Sequence, residues 1–398
     1  MTKKLHYFLL LLVPVLSIAQ LHTYTGVIKD VTTQAPVELV SIAVENSNIA
    51  TVSNEEGSFR ITVPDDVKTL RFSHLNYNVY LFKLTAVDTL EIFLEPKTIT
   101  LDEVVISDIP VDKLIKKLLK DSKDHLEKSI LMNTYYREFG MINGQYISFA
   151  DGILDYDIKK ASGKADVYVR QSRAKKIRDA VLARKRSDLE GFSFFNVEDA
   201  ISDSYNFKRL TKLINSDSYE YVLRNKTDQN GNTVQIISIL PKSEVHKPLY
   251  QGTITYDLKS NLVLEVNLQR APSHEPYNEF INVLVCKAKL TVDNQKSIFS
   301  LNNGKYMLNY NSHRIGMHIK MKNVMDDTFE SMSDVVNLDY KEGNFKLDRT
   351  QRYREKSLYK AGTKFSEEFW KTKNIILLSG EEENIILSLE NDTASLTR

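Results

Sequence analysis

The chain has 398 residues, enough for two or three domains, each able to bury its own core. Its 53 Lys and Arg nearly balance 52 Asp and Glu, and the net charge of +1 excludes a partner chosen by global electrostatics. With one cysteine, Cys286, it excludes an internal disulfide framework, and its 42% hydrophobic residues must hold the fold through ordinary cores.

The first residues read as an export signal. Lys3 and Lys4 precede an apolar run from Tyr7 to Leu16, and Ser17-Ile18-Ala19 supplies the small residues a signal peptidase inspects. This predicts a signal peptide over 1–19, with cleavage before Gln20. A retained anchor is the rival reading, but the run is short against the roughly 20 apolar residues of a membrane helix. No cysteine follows the cleavage site, which argues against lipid attachment there, and no later segment is apolar enough to cross a membrane as a helix.

From Tyr24 onward, short β-rich runs alternate with turn residues. Val40, Ile42 and Val44 share one face of a run from Val37 to Val44. Phe59, Ile61 and Val63 alternate with Arg60 and Thr62, as in a strand covered on one side. Asn54-Glu55-Glu56-Gly57 is the turn before it, with Gly57 suited to positive φ. Leu70-Arg71-Phe72 and Leu90 to Leu94 supply two further strands, and the spacing predicts an all-β sandwich.

In order, this stretch carries Gly26 and Asp30, Pro36, Ser53-Asn54 with Gly57 and Phe59, Asn76-Tyr77, and Leu101-Asp102-Glu103-Val104-Val105-Ile106. It resembles the carboxypeptidase regulatory-like domain, a transthyretin-like β-sandwich common in envelope proteins of Bacteroidota-type bacteria. The resemblance covers about eighty residues, assigned here as 20–106, and implies no peptidase activity. Ser53-Asn54 replaces the usual Thr-Asp and Asn76 replaces a usual Gly; Asn tolerates left-handed backbone, so the second turn is expected to survive.

A helical linker is predicted over 107–130. Pro110 starts it, and Leu114, Ile115, Leu118, Leu119 and Leu126 form its apolar stripe. The stripe is read as core-facing; Lys113, Lys116, Lys117 and Lys120 favour the alternative of a membrane-surface helix.

The remainder, 131–398, reads as a larger antiparallel β-rich domain with a few helices, so the chain is mainly β. Asn143-Gly144 and Asn230-Gly231 are hairpin cues, and Lys259-Ser260-Asn261 joins runs at Thr253–Tyr256 and Leu262–Leu268. Further strand-like runs lie at Tyr306–Tyr310, Ile315–Lys320 and Val335–Tyr340; helices are expected at Ser172–Lys185, Val197–Ile214 and Phe365–Lys373. Consecutive hairpins suggest a large curved sheet, and the Gly252–Val266 hairpin is similar in style to half-barrels of the lipoprotein-carrier type. Phe280 to Ala288 reads as a largely buried strand with Cys286 as a small buried hydrophobe. The twenty tyrosines are read as ordinary sheet residues rather than sugar or lipid contacts.

Motifs of catalysis are missing. None of the eight histidines has Glu three places later, and His-Glu-x-x-His, Gly-x-Ser-x-Gly, phosphate-loop and dinucleotide patterns do not occur. His313 and His318, five apart, would face opposite sides of a strand. Neither a catalytic residue, a metal nor a cofactor is therefore assigned.

One charge feature stands out: Arg170, Arg173, Lys175, Lys176, Arg178, Arg184, Lys185 and Arg186, an anion-binding candidate for lipid headgroups or acidic glycan. Export argues against nucleic acid, and a solvated face neutralised by Asp188, Glu190 and Glu198 is the simpler alternative. The expectation is a non-enzymatic exported envelope protein, periplasmic or outer-membrane associated, that binds an envelope protein, lipid or glycan and has a route to peripheral membrane association. A lipid or lipoprotein carrier, or an envelope hydrolase with a site assembled from scattered residues, are the alternatives.

Overall fold

The computed structural model describes residues 21–45, 47, 49–85, 87–97, 100–104, 109–159, 165–176, 193–227, 233–302, 304–364 and 374–391. The front unit is a sandwich of two small sheets. One holds β1 (Leu21–Asp30), β4 (Ser58–Pro64) and β7 (Thr89–Leu94) in the order β4-β1-β7, with β1 and β7 parallel. The other holds β2 (Ser41–Val44), β3 (Ala50–Val52), β5 (Thr69–His74) and β6 (Tyr77–Lys83) in the order β3-β2-β5-β6. Alternation sends Phe59, Ile61 and Val63 from one sheet, and Ile42, Leu70 and Phe72 from the other, into one buried core.

The residues that carry the resemblance have structural duties. At Gly26 an added Cβ would run into the carbonyl oxygen of Leu90 and the ring of Phe59, so only glycine lets β1 and β7 approach. Gly57 turns at φ 72°, and the Asn54 carboxamide oxygen accepts from the Glu56 and Ser58 amides at 3.0 and 2.8 Å. Asp30 accepts from the Thr32 and Thr33 amides at 2.7 and 2.8 Å and from the Tyr77 hydroxyl at 3.0 Å. The turn at Asn76 forms without positive φ there.

β8 (Thr100–Val104), the end of that stretch, leaves the sandwich and pairs antiparallel with β12 at the edge of a second sheet. The linker helix α1 (Val111–His125) follows, with Ile115, Leu118 and Leu119 buried. The second sheet has twelve strands, eleven of them in the order β11-β10-β9-β19-β18-β17-β15-β14-β13-β12-β8, with β16 on β17. Those not yet placed are β9 (Ile130–Ile142), β10 (Gln145–Ile158), β11 (Ala165–Lys176), β12 (Tyr219–Thr227), β13 (Thr233–Pro241) and β14 (Tyr250–Asp257). They continue with β15 (Leu262–Arg270), β16 (Ile281–Val283), β17 (Cys286–Asn302), β18 (Lys305–Met321) and β19 (Met325–Glu342).

A sheet this wide must twist and curl, and its inner face packs on helices. α1, α2 (Ser202–Tyr205) and α3 (Lys208–Ile214) share one core with Tyr136, Leu154, Tyr156, Ile237, Ile254, Val263 and Tyr306. The half-barrel-like hairpin thus contributes Ile254, Val263 and Val266 to a packed interior. A last helix, α4 (Gly380–Asn391), follows an extended segment.

Three readings need correction. Ser172–Lys176 belongs to strand β11 rather than a helix, because it pairs with β10 from Ser148 to Gly152; the rest of the expected helix lies outside the described residues. The helix expected over Val197–Ile214 is a 3-10 turn (Val197–Asp199) followed by α2 and α3, broken where Phe207 takes φ 46°. Cys286 is not in a buried strand: it starts β17 at an exposed hairpin, where, among the described residues, no second layer covers the apolar run. The runs at Tyr306 and Ile315 merge into the single strand β18. The Asn230-Gly231 turn and the Phe365–Lys373 helix lie outside the described residues.

Candidate functional site

The basic cluster is only partly described. Arg170 and Arg173 sit on β11, and both are neutralised by carboxylates of the neighbouring strand. Arg170 Nε donates to Asp155 Oδ2 at 2.6 Å, while Arg173 Nε and Nη2 donate to the two oxygens of Asp151 at 2.9 and 2.5 Å. Lys175 and Lys176 end the strand opposite Phe149 and Ser148; Arg178, Arg184, Lys185 and Arg186 lie outside the described residues. The described arginines of this cluster are thus structural partners of β10.

Their register makes a charged row. Asp334 of β19, Arg137 of β9, Asp151 of β10 and Arg173 of β11 stand directly opposite one another across four strands. Opposite signs alternate along the row, which is favourable for cross-strand neighbours. Arg137 Nε donates to Asp334 Oδ2 at 2.7 Å and Nη1 to Glu382 Oε2 at 2.8 Å. Burial works against the Arg137 charge, but Asp334 and Glu382 outweigh it and hold the guanidinium protonated.

The row lies on the outer face of the sheet, beneath residues 374–382. Ile375 and Ile376 pack between Val52 of the front sandwich and Tyr135, Ile153, Tyr310 and Val336 of the large sheet. Thr62 N donates to Asn374 Oδ1 at 2.5 Å, Asn54 Nδ2 to the Leu378 carbonyl at 3.2 Å, and Gly380 N to Glu56 Oε1 at 2.8 Å. The segment therefore straps one domain to the other.

On the inner face, Asp293 of β17 draws together three elements. Its Oδ2 accepts from Arg209 of α3 and, at 2.7 Å, from the Tyr250 hydroxyl of β14; its Oδ1 meets His313 Nε2 of β18 at 2.9 Å. Burial opposes the charge, yet hydrogen bonds from His313, Arg209 and Tyr250 hold the Asp293 carboxyl well below the usual range. Burial and the same carboxylate push Tyr250 up to about 12. His313 Nε2 also lies 3.2 Å from Arg209 Nη1, so imidazole, guanidinium and carboxylate meet at one point.

His313 opens onto a cleft of about 380 Å³ between β17–β19 and the segment 194–203. Phe194, Phe195, Asp199, Asp203, Gln295 and Ser333 are among its lining residues. The Phe195 ring lies 4.7 Å from His313, centroid to centroid. Ser204 Oγ and Ser297 Oγ donate to Asn311 Oδ1 at 2.6 and 2.8 Å, and Asn311 Nδ2 donates to the Ala200 carbonyl at 2.8 Å, pinning the segment to the sheet. Ser333 stands opposite His313 in the β18–β19 register. His318 lies on the other face against Asp326, 2.6 Å away, as the five-residue spacing requires. Among the described residues, no three His, Cys, Asp or Glu side chains are grouped to hold a metal ion.

Sequence reasoning singled out His313 only by its spacing, and missed Asp293, Arg209, Tyr250 and Phe195, which carry no local signal. It also missed Glu382, although Ser379-Gly380-Glu381-Glu382 has the spacing of a capping box.

Residues 24–106 match the family described as CarboxypepD_reg-like domain, so the chain carries a carboxypeptidase regulatory-like domain ahead of its large antiparallel domain. No curated protein matches the sequence. A LolA superfamily protein from Nitrosomonas europaea aligns over 60% of this chain and 97% of its own, at 10% identity and a TM-score of 0.21. Lipovitellin aligns over 64% of this chain and 29% of its own, at 8% identity and a TM-score of 0.24. Neither likeness bears on ligand or activity.

Proposed function

We propose that this chain is a non-enzymatic, exported envelope protein that binds a hydroxyl-rich ligand, a glycan, in the cleft beside His313, while the front sandwich acts as an interaction module. The export part rests on the residues of 1–19. The binding part rests on one observation: Phe194 and Phe195 share a cleft of about 380 Å³ with Asp199, Asp203, Gln295 and His313. Aromatic faces accept the apolar side of a sugar ring, and carboxylates, amides and imidazole accept or donate to its hydroxyls. The volume suits one or two such rings, within the range of small-ligand sites. Among the described residues, the apolar side chains of α1 and α3 pack directly on the inner face of the large sheet, which weighs against the carrier alternative.

A glycan array probed with the full chain, followed by calorimetry with its strongest hit, tests this. Saturable binding is expected, weakened at least tenfold by Phe195→Ala in a protein that keeps its thermal midpoint. No binding to any array member, or equal binding by the variant, overturns it. Turnover of the hit that His313→Ala abolishes would replace binding with catalysis.

A further inference from the structure

Two hairpins project side by side from one end of the large sheet. β16 and β17 meet at Leu284-Val285, β18 and β19 meet at Lys322-Asn323-Val324, and the two are joined through Lys287 opposite Lys320. Their tips are apolar and uncovered: Leu284 is 100% exposed, Val285 80%, Ile281 65% and Val324 64%. Scattered exposed aliphatics are ordinary, but four on two adjoining tips form a patch.

The turn chemistry marks the patch as more than accidental. Gln34, Leu39, Ser129 and Phe207 also take left-handed backbone, but none of them sits in a turn between paired strands of the large sheet; in those turns, at Asn143, Gly144, Asn261, Gly304 and Asn323, it is taken by Asn or Gly, the residues that adopt it readily. At the β16–β17 turn it is taken by Leu284, at φ 51°. A leucine there tolerates an unfavourable backbone and leaves its whole side chain in water, so its apolar character serves something outside the chain.

Charge says what that is. Residues 283–287 and 320–327 carry Lys287, Lys320 and Lys322 against the carboxylates of Asp326 and Asp327, the latter accepting from Asn143 Nδ2 at 2.8 Å. Lys320 is 3.5 Å from Asp326, while Lys287 and Lys322 are exposed and make no ion pair among the described residues. Aliphatic apices with lysines just behind them match the layering of an anionic bilayer, acyl chains below phosphate headgroups. A narrow convex tip buries little area against a flat protein surface, whereas a fluid bilayer closes round it.

We propose that the paired tips, Leu284-Val285 and Val324, insert into the headgroup–acyl boundary of an anionic membrane while Lys287 and Lys322 meet its phosphates. This surface is separate from the cleft and stands or falls independently of it. Cys286, the only cysteine, lies two residues from Leu284 and gives a local reporter in the full chain. An environment-sensitive dye on Cys286 is expected to shift to the blue with vesicles of phosphatidylethanolamine and phosphatidylglycerol, and not with phosphatidylcholine alone. In co-flotation, Leu284→Asn with Val285→Gly, which installs a favoured turn, should lower affinity at least tenfold. Lys287→Ala and Lys322→Ala should each lower it roughly fivefold, in line with about 1 kcal/mol per surface lysine. An unshifted dye on anionic vesicles, or equal flotation by the Asn-Gly variant, overturns the proposal. A dye shift that follows protein concentration without vesicles, with a dimer in sedimentation that the Asn-Gly variant abolishes, assigns the tips to a second copy and overturns it too.

Discussion

Arg137 and Glu382 form an ion pair of 2.8 Å between groups 245 residues apart in the chain. Glu382 Oε2 also accepts the Ser379 amide at 2.9 Å, and the Glu382 amide donates to Ser379 Oγ at 3.2 Å, so the same side chain closes a reciprocal cap on α4. The helix start is thereby fixed to the middle of the large sheet, and the strap from Asn374 to Ser379 is held taut between two domains. Ser379 and Glu382 provide the local half of this lock, and Arg137 with Asp334 the remote half.

Removing Arg137 should be severe. Arg137→Ala leaves Asp334 and Glu382 buried with reduced compensation, and a loss of about 3–5 kcal/mol is expected in urea unfolding, the usual scale for stripping one partner from a buried pair. Glu382→Ala should cost about 1–3 kcal/mol through the lost cap and hydrogen bonds. It should also speed proteolytic cleavage within 374–391 while the remaining chain stays resistant. Cleavage as slow as in the unaltered protein would show that the strap is held without this lock.

Glu138 offers a pH test with a defined sign. It is buried on the inner face, where it accepts from Ser357 Oγ, from the Tyr359 amide at 3.0 Å and from the Tyr136 hydroxyl at 2.9 Å. Burial raises its pKa despite these donors. A raised carboxyl pKa means that the folded state holds the proton more tightly. The stabilising contribution is therefore full below the unfolded pKa, about 4.3, and is lost as pH rises through the folded value. Glu138→Gln should gain on the unaltered protein as pH rises from 4 to 8, read from unfolding midpoints. Glu138→Ala should lose about 1–3 kcal/mol, because three donors are left without an acceptor.

Asp293 runs the opposite way. Its folded pKa is depressed, so its contribution is full above the unfolded value of about 3.9 and is lost as pH falls toward the folded value. Asp293→Asn should be less stable at neutral pH by several kcal/mol and should show a shallower acid limb. Tyr250→Phe, which removes one donor to the same carboxylate, should cost about 1.5–3 kcal/mol. An acid limb of unchanged slope in Asp293→Asn would remove this carboxylate from the account.

Gly26→Ala tests the front sandwich. The new methyl collides with backbone at Leu90, which cannot move without separating β1 from β7. A loss of about 3 kcal/mol or more is expected, at the upper end of single-site effects, with hydrogen exchange accelerating across β1, β4 and β7 first. Uniform exchange over the whole chain would show that the two domains unfold as one.

Much of this molecule is legible locally. The alternation of Phe59, Ile61 and Val63, the Asn143-Gly144 turn, the stripe of α1 and the ordered glycines and turn residues of the front domain are short-range consequences of backbone sterics and of which side chains shun water. They announce a β-sandwich, a helix and a hairpin-rich second domain without reference to anything distant. What the tertiary structure alone decides is every relation between strands. An apolar run such as Phe280 to Cys286 looks the same whether a second layer covers it or not, and only pairing shows that it ends in open water. Asp334, Arg137, Asp151 and Arg173 are unremarkable charges until register aligns them, and Asp293, Tyr250, Arg209 and His313 have no common sequence signal at all. β8 likewise carries the front domain's closing motif yet adds to the other sheet, because a strand's hydrogen bonds run sideways to whichever partner the fold brings alongside.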